Sequence, residues 1–311
     1  MAWNSARLPL PTPKEARELG VYILLLPFVF VPLAIGTKAA NLLARFLMRP
    51  SSKYHAIMAG LMPAPMKAAF GSSDRDGVRR AEQFFLREKL LLMRAIITPW
   101  RSPRPRLRGI EHLHEALSVD RGVILWVHPC LGSNVAVKRA LAESGHPLIH
   151  LSRPSHPFSS LPFGMRVINP IFRRPEVRFL RERVLISDGN MIGPLRRLKV
   201  RLAENLPVSI TVVAMASTLN DLPFLGGACR LPTGPIELAA SSGARLLPVF
   251  TVGSGRRPIV IIGAPLPVAG KGHEAIAACQ QSALRWLEEN VLEYPADWLG
   301  WRVGLFRRSP A

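Results

Sequence analysis

His128 ends an apolar, largely β-branched run, VILWV at 123–127, and the next strongly polar side chains, Ser133 and Asn134, come just after Gly132. Of all side chains, imidazole has the proton affinity best matched to neutral pH, so a histidine at an accessible site is a candidate general base. The run before it reads as a buried strand, and Ser133 or Asn134 is suited to cap a helix carrying Val135, Val137, Lys138, Arg139 and Leu141. A ring between a strand end and a helix amino terminus faces the crevice in which open α/β sheets bind ligands, because helix N–H groups converge there. The same pattern is also that of a histidine that simply closes a strand.

Placing such a ring requires a sheet, and the sequence from 109 onward supplies one. Strands are expected at 123–127, 148–151, 208–213, 245–251 and 259–262, with helices at 133–143, 194–204, 233–242 and 273–293. Pro194 and Pro235 fit a first helical turn, and Thr233 is a plausible cap. The alternation predicts an α/β fold with a mostly parallel central sheet flanked by helices.

The amino-terminal third has a different character. Residues 1–18 are polar and proline-rich, whereas 19–37, LGVYILLLPFVFVPLAIGT, carries no charge. As one helix it would be about 28 Å long, close to the ~30 Å hydrocarbon core, which predicts a membrane anchor or an embedded hairpin across 1–37. A cleaved signal peptide or a buried soluble helix are the alternatives. Residues 38–108 read as helices at 39–47 and 79–97 followed by an extended basic linker, RSPRPRLRG at 101–109. The arginines of 79–97 suit either a solvated face or a surface against anionic headgroups.

Charge and cysteine usage narrow the partners. Lys and Arg number 41 against 21 Asp and Glu, a net charge of +20 that calls for a polyanionic partner. No zinc-finger spacing, RNA-recognition signature or recognition helix accompanies it, while a long apolar segment and Arg-plus-Trp clusters do, which favours an anionic membrane over nucleic acid. Cys130, Cys229 and Cys279 are odd in number and widely spaced, fitting a reducing compartment with no disulfide framework and no metal site.

Several phrases in fixed order carry a resemblance: His128 with Ser133 after four intervening residues, SRP at 152–154, FLGGACRLPTGPIELAASSGARLLPVF at 224–250, and EYPADWLGWRVGLFRR at 293–308. Together with the apolar and basic helical regions they are similar to the lipid A biosynthesis (lauroyl/myristoyl) acyltransferases of the lysophospholipid acyltransferase-like superfamily. The resemblance covers most of 19–308 and implies that 109–311 is the α/β acyltransferase domain. It implies an enzyme on the cytoplasmic face of a bacterial inner membrane, moving a fatty acyl group from an acyl carrier protein or coenzyme A thioester to a hydroxyl of a glycolipid or lysolipid. It implies no cofactor beyond that co-substrate, and no nucleic-acid partner.

On this resemblance His128 is the general base and Ser133 stands where the family has Asp or Glu. A carboxylate on the far ring nitrogen fixes the tautomer and stabilises the imidazolium, and in serine hydrolases its replacement by an amide costs about 10⁴ in rate. Ser133 can orient the ring but brings no charge. Either another carboxylate substitutes, with Glu143, Asp188 and Asp221 as candidates, or the acceptor is more nucleophilic, or the chain is a catalytically degenerate relative that binds lipid or a partner enzyme. The resemblance further implies substrate-binding roles for Asn134, Arg153, Gly226, Gly227, Thr233 and Gly234. Arg153 suits a phosphate or the thioester oxyanion, against an ordinary salt bridge, and the glycines suit a tight turn beside a groove, against plain turn chemistry. Cys130 offers a thiol that could carry an acyl group or fill a small buried space. Trp298, Trp301 and Phe306 with Arg302, Arg307 and Arg308 suit either a membrane interface or core packing.

Overall fold

The computed structural model describes residues 9–47, 74–154, 158, 160–186, 191–214, 218–253, 257–295, 297–301 and 303–308. Ten strands lie among them: β1 Arg106–Arg108, β2 Val123–Val127, β3 Leu148–Ser152, β4 Leu180–Leu185, β5 Pro207–Thr211, β6 Leu219–Phe224, β7 Gly227–Pro232, β8 Arg245–Val252, β9 Ile259–Ile262 and β10 Phe306–Arg308. Seven form the central sheet in the order β1-β9-β8-β2-β5-β3-β4, parallel throughout except where β8 meets β9. The mostly parallel, helix-flanked sheet expected from the sequence is present.

The period-2 rule distributes β2 between two cores. Val123, Leu125 and Val127 pack against the helices Ile110–Ser118 and Ser133–Glu143, while Ile124 and Trp126 pack on the other face with the helices Ile192–Ala203, Gly234–Ser242 and His273–Glu293. All five residues of β2 are buried, as expected of a central parallel strand covered on both sides. The basic segment read as a linker ends instead in β1, which pairs in parallel with β9 through Arg106↔Ile259 and Arg108↔Ile261. Its alternating charge hid an edge strand, where arginines face solvent. A second, three-stranded antiparallel sheet, β10-β7-β6, packs its aromatic residues on the first, an element that the sequence pattern did not announce.

Residues 19–37 do not make one helix. The helix Pro13–Leu25 is followed by the 3₁₀ turn Leu26–Val29 and then by a second helix, Leu33–Leu47. Pro27 lies in the first positions of the turn, and Pro32, lacking an N–H, begins the next helix by accepting from Ile35 and Gly36. Among the described residues no helix is long and apolar enough to cross a membrane, so the single spanning anchor is not formed. Pro13–Leu25 itself starts with a capping box, Thr12 and Glu15, inside the polar, proline-rich stretch. Both helices pack on the longer helix Asp74–Ile97 through Leu25, Val29, Ala40, Ala44, Leu86, Leu90 and Met93.

Candidate functional site

The local unit around His128 is the expected strand, turn and helix: β2, then 128–132, then the helix Ser133–Glu143. The turn is set by Gly132 at φ +74, which serves as the helix cap without a side-chain bond, so neither Ser133 nor Asn134 caps it. Instead the Ser133 hydroxyl accepts from the Cys130 N–H at 3.3 Å, closing the loop on itself. Asn134 is half-buried in the first helical turn.

His128 is tied to the sheet by its N–H, which donates to the Val249 carbonyl at 2.9 Å. Its ring has no exposed surface and lies between two indoles, Trp126 at 6.1 Å and Trp286 at 6.2 Å between centroids, each tilted by about 30°. Neither ring nitrogen has a hydrogen-bond partner among the described residues. Burial away from any counter-charge pushes the imidazole pKa from 6.5 down to about 3, so the ring is neutral at pH 7 and weakly basic in this form. The nearby indole N–H of Trp126 is likewise buried without a partner.

Two of the three carboxylates expected beside the ring lie elsewhere. Glu143 is at the far end of its helix, paired with Arg139 at 2.9 Å, and Asp221 sits on β6 with Arg230 at 3.2 Å and Arg307 at 3.6 Å. Asp188 falls outside the described residues. The carboxylate that the fold brings to the loop after His128 is one that sequence reasoning passed over, Asp297. It is 2% exposed; its Oδ1 accepts from the Gly253 N–H at 2.8 Å, and its carbonyl accepts from the Leu131 N–H at 2.8 Å. Leu299 N–H donates to the Pro129 carbonyl at 2.8 Å and Trp298 bridges Cys130, so 297–299 is laced along 129–131. Burial holds the Arg87 guanidinium below its ordinary pKa, with the Asp297 charge opposing that shift, and Asp297 adds to the burial that pushes the Cys130 thiol up. The signal in the sequence was the phrase at 293–308, where one acid stands between Pro295 and the aromatic pair Trp298 and Trp301.

The remaining site residues are dispersed. Arg153 follows β3 and is half-buried; its carbonyl accepts from Arg183 Nη2 at 2.9 Å, and the same nitrogen reaches the Ser152 hydroxyl at 2.8 Å. Gly226 at φ +74 turns the β6–β7 hairpin, and Gly227 lets β10 approach: a Cβ there would lie 2.3 Å from the Arg307 carbonyl. These two glycines serve the hairpin. Thr233 precedes the helix Gly234–Ser242 and makes no side-chain cap, its carbonyl accepting from Ile236 and Glu237 instead, and Gly234 begins that helix beside open space. Cys130 is fully buried and its thiol is pushed well above its ordinary pKa by burial, which removes it as a thiolate nucleophile. Trp298 and Phe306 pack with Trp301 and Phe224 in the core, so the packing alternative holds for these rings. Arg302 and the Arg308 side chain lie outside the described residues.

Comparison with known proteins finds relatives named as acyltransferases. The chain is 28% identical over 196 residues to the phosphatidylinositol mannoside acyltransferase of Mycolicibacterium smegmatis, covering 61% of this chain and 58% of the relative. It is 29% identical over 116 residues to the phosphatidylinositol mannoside acyltransferase of Mycobacterium tuberculosis, covering 37% of this chain and 36% of that protein. The chain thus spans less than two thirds of the length of either relative. No protein-family model matches it.

Proposed function

We propose that the protein is an acyltransferase that moves a fatty acyl group from a carrier-protein or coenzyme A thioester to a hydroxyl of a glycolipid, at an anionic membrane surface, with His128 as general base. The observation that carries the reading is the neutral imidazole at the carboxyl end of the central strand, in a chain similar to two acyltransferases named for a glycolipid. The acceptor hydroxyl gives its proton to the ring as its oxygen forms an ester bond with the acyl carbon; the C–S bond breaks and the departing thiolate takes the proton. No enzyme-bound acyl intermediate is required, in keeping with the buried Cys130 thiol.

In the sealed form the ring is a poor base, since burial lowers its pKa to about 3, well below the ordinary imidazole value. Catalysis on this reading therefore includes a step in which the acceptor displaces part of the cover over His128 and brings polar atoms to its unpaired nitrogens. Asp297 fastens the loop that follows the ring, its backbone carbonyl accepting from the Leu131 N–H.

A second reading, a degenerate relative that binds lipid or a partner enzyme, is favoured by one specific feature: among the described residues the ring has neither an acid bonded to it nor a bond from Ser133. Thiol release from a long-chain acyl-CoA, measured with a phosphatidylinositol mannoside acceptor, separates the two. Release by the wild type that disappears in His128→Ala supports the first. Equal release from the variant refutes His128 as base, and a silent wild type that gains activity on Ser133→Glu establishes the second.

A further inference from the structure

Glu182 and Arg183 are neighbours on β4, and the alternation of a strand sends them to opposite faces of the sheet. Glu182 meets Arg197 and Arg201 of the helix Ile192–Ala203. Arg183 lies on the other face, level with His150 of β3, where the helix Asn169–Val177 packs on β4 and contributes Arg173 and Glu176.

The charges on that second face do not balance. Glu176 is buried and already engaged: its Oε1 lies 2.8 Å from Nζ of buried Lys138 and 3.5 Å from Nε2 of His150, whose Nδ1 in turn meets the Ser209 hydroxyl at 2.9 Å. Arg173 and Arg183 remain, both half-buried, and neither forms an ion pair among the described residues. Burial, and then the neighbouring Arg173 charge, hold the Arg183 guanidinium below its ordinary pKa, with Glu176 opposing.

Arg183 is fixed in place without being neutralised. Its Nη2 donates to two neutral oxygens, the Ser152 hydroxyl at 2.8 Å and the Arg153 carbonyl at 2.9 Å, while its Nε is buried with no partner among the described residues. Arg153, singled out from the sequence for a phosphate, thus offers its carbonyl to hold a different guanidinium. A buried donor left unpaired is costly, and a second guanidinium beside it adds repulsion. An anion shared by the two arginines removes both costs.

We propose that Arg173 and Arg183 form a phosphate-binding site on the face of the sheet opposite the His128 ring. Planar guanidinium forks match phosphate oxygens and hold them bidentately, which a single ammonium does not. The site stands at the open side of the sheet, since β4 is its edge strand. The His128 ring faces Trp286 on the other side, and three strand spacings separate β2 from β4, about 14 Å, so phosphate binding can be measured without contact with the proposed base. A free phosphate, the phosphates of coenzyme A and the phosphodiester of phosphatidylinositol all offer this chemistry. The evidence for the site is independent of the transferase reading.

The test titrates the full chain with inorganic pyrophosphate at moderate salt, with neither acyl donor nor acceptor present, so that failure of the transferase reading does not touch it. Binding is expected to raise the Tm of the wild type, and its affinity to fall about tenfold or more in Arg173→Gln and in Arg183→Gln. Arg173→Gln is the sharper variant: by removing a like charge it should raise the Tm of the ligand-free protein while losing most of the rise that pyrophosphate gives the wild type. Arg285→Gln, exposed on the helix His273–Glu293, controls for the general attraction of a chain of net charge +20 and should bind as the wild type does. Coenzyme A and a short-chain phosphatidylinositol are then competed against pyrophosphate. Displacement by either names it as a source of the phosphate, and displacement by neither assigns the site to free phosphate. Equal weakening in Arg285→Gln, unchanged affinity in Arg173→Gln, or a wild type that binds no pyrophosphate overturns the inference.

Discussion

Sealing an imidazole inside the core leaves a signature in the pH dependence of stability. In the folded state the His128 pKa is about 3, against 6.5 when free. Between these values the unfolded chain binds a proton that the folded chain refuses, so stability falls as pH drops below 6.5 and the loss is complete only near pH 3. Above 6.5 both states are neutral at this position and it contributes no slope. The loss is about 1.4 kcal/mol per pH unit inside the window, which amounts to about 2 kcal/mol at pH 5 relative to pH 8. Other groups titrate too, and a variant removes them from the comparison. His128→Leu keeps an apolar side chain of similar size between Trp126 and Trp286 and deletes the proton site. Urea unfolding of both proteins from pH 5 to pH 8 gives two curves whose difference should be flat above about pH 7.5 and decline by about 2 kcal/mol by pH 5, the wild type losing ground. Parallel curves over that range would mean that the ring is solvated or paired in the native protein, and the sealed-base description would have to be abandoned.

Two further predictions test what holds the neighbouring helix and the sheet edge. Lys138, on the helix that follows His128, is buried with Glu176, Nζ to Oε1 2.8 Å, and Lys138→Met should cost about 3–5 kcal/mol in urea unfolding by leaving a buried carboxylate short of its cation. The double variant Lys138→Met with Glu176→Met should recover most of that loss. At Gly109, φ +75, a Cβ would lie 2.0 Å from the Ile262 carbonyl, whereas at Gly145, φ +89, it would meet open space. Gly145→Ala should therefore cost about 1–2 kcal/mol from left-handed backbone alone, and Gly109→Ala clearly more, read from the two Tm values.

Much of the site's scaffold was legible because it is local. The limits of β2, of the helix Ser133–Glu143, of β9 and of the helix His273–Glu293 agree with the expected ones residue for residue, since an apolar β-branched run and a 3.6-residue period are written in consecutive positions. The errors follow the same logic in reverse. Arg106–Arg108 became a strand only because β9 offers it an edge, and the charge-free stretch 19–37 reads as a span only if Pro27 and Pro32 merely kink one helix, whereas here they divide it into two.

What the sequence determined alone is thus the frame and the candidate base: an α/β sheet with a histidine where its central strand stops. Tertiary structure alone decided the environment of that histidine. Trp286 arrives from a helix some 160 residues later and seals one side of the ring, Asp297 comes from the carboxyl-terminal phrase to fasten the loop, and Glu143, almost three turns beyond Ser133 on its helix, pairs with Arg139 instead. Proton affinity depends on solvent, charge and hydrogen bonds within a few ångströms, and those neighbours come from distant parts of the chain, so no local motif can encode whether an imidazole is a base at pH 7.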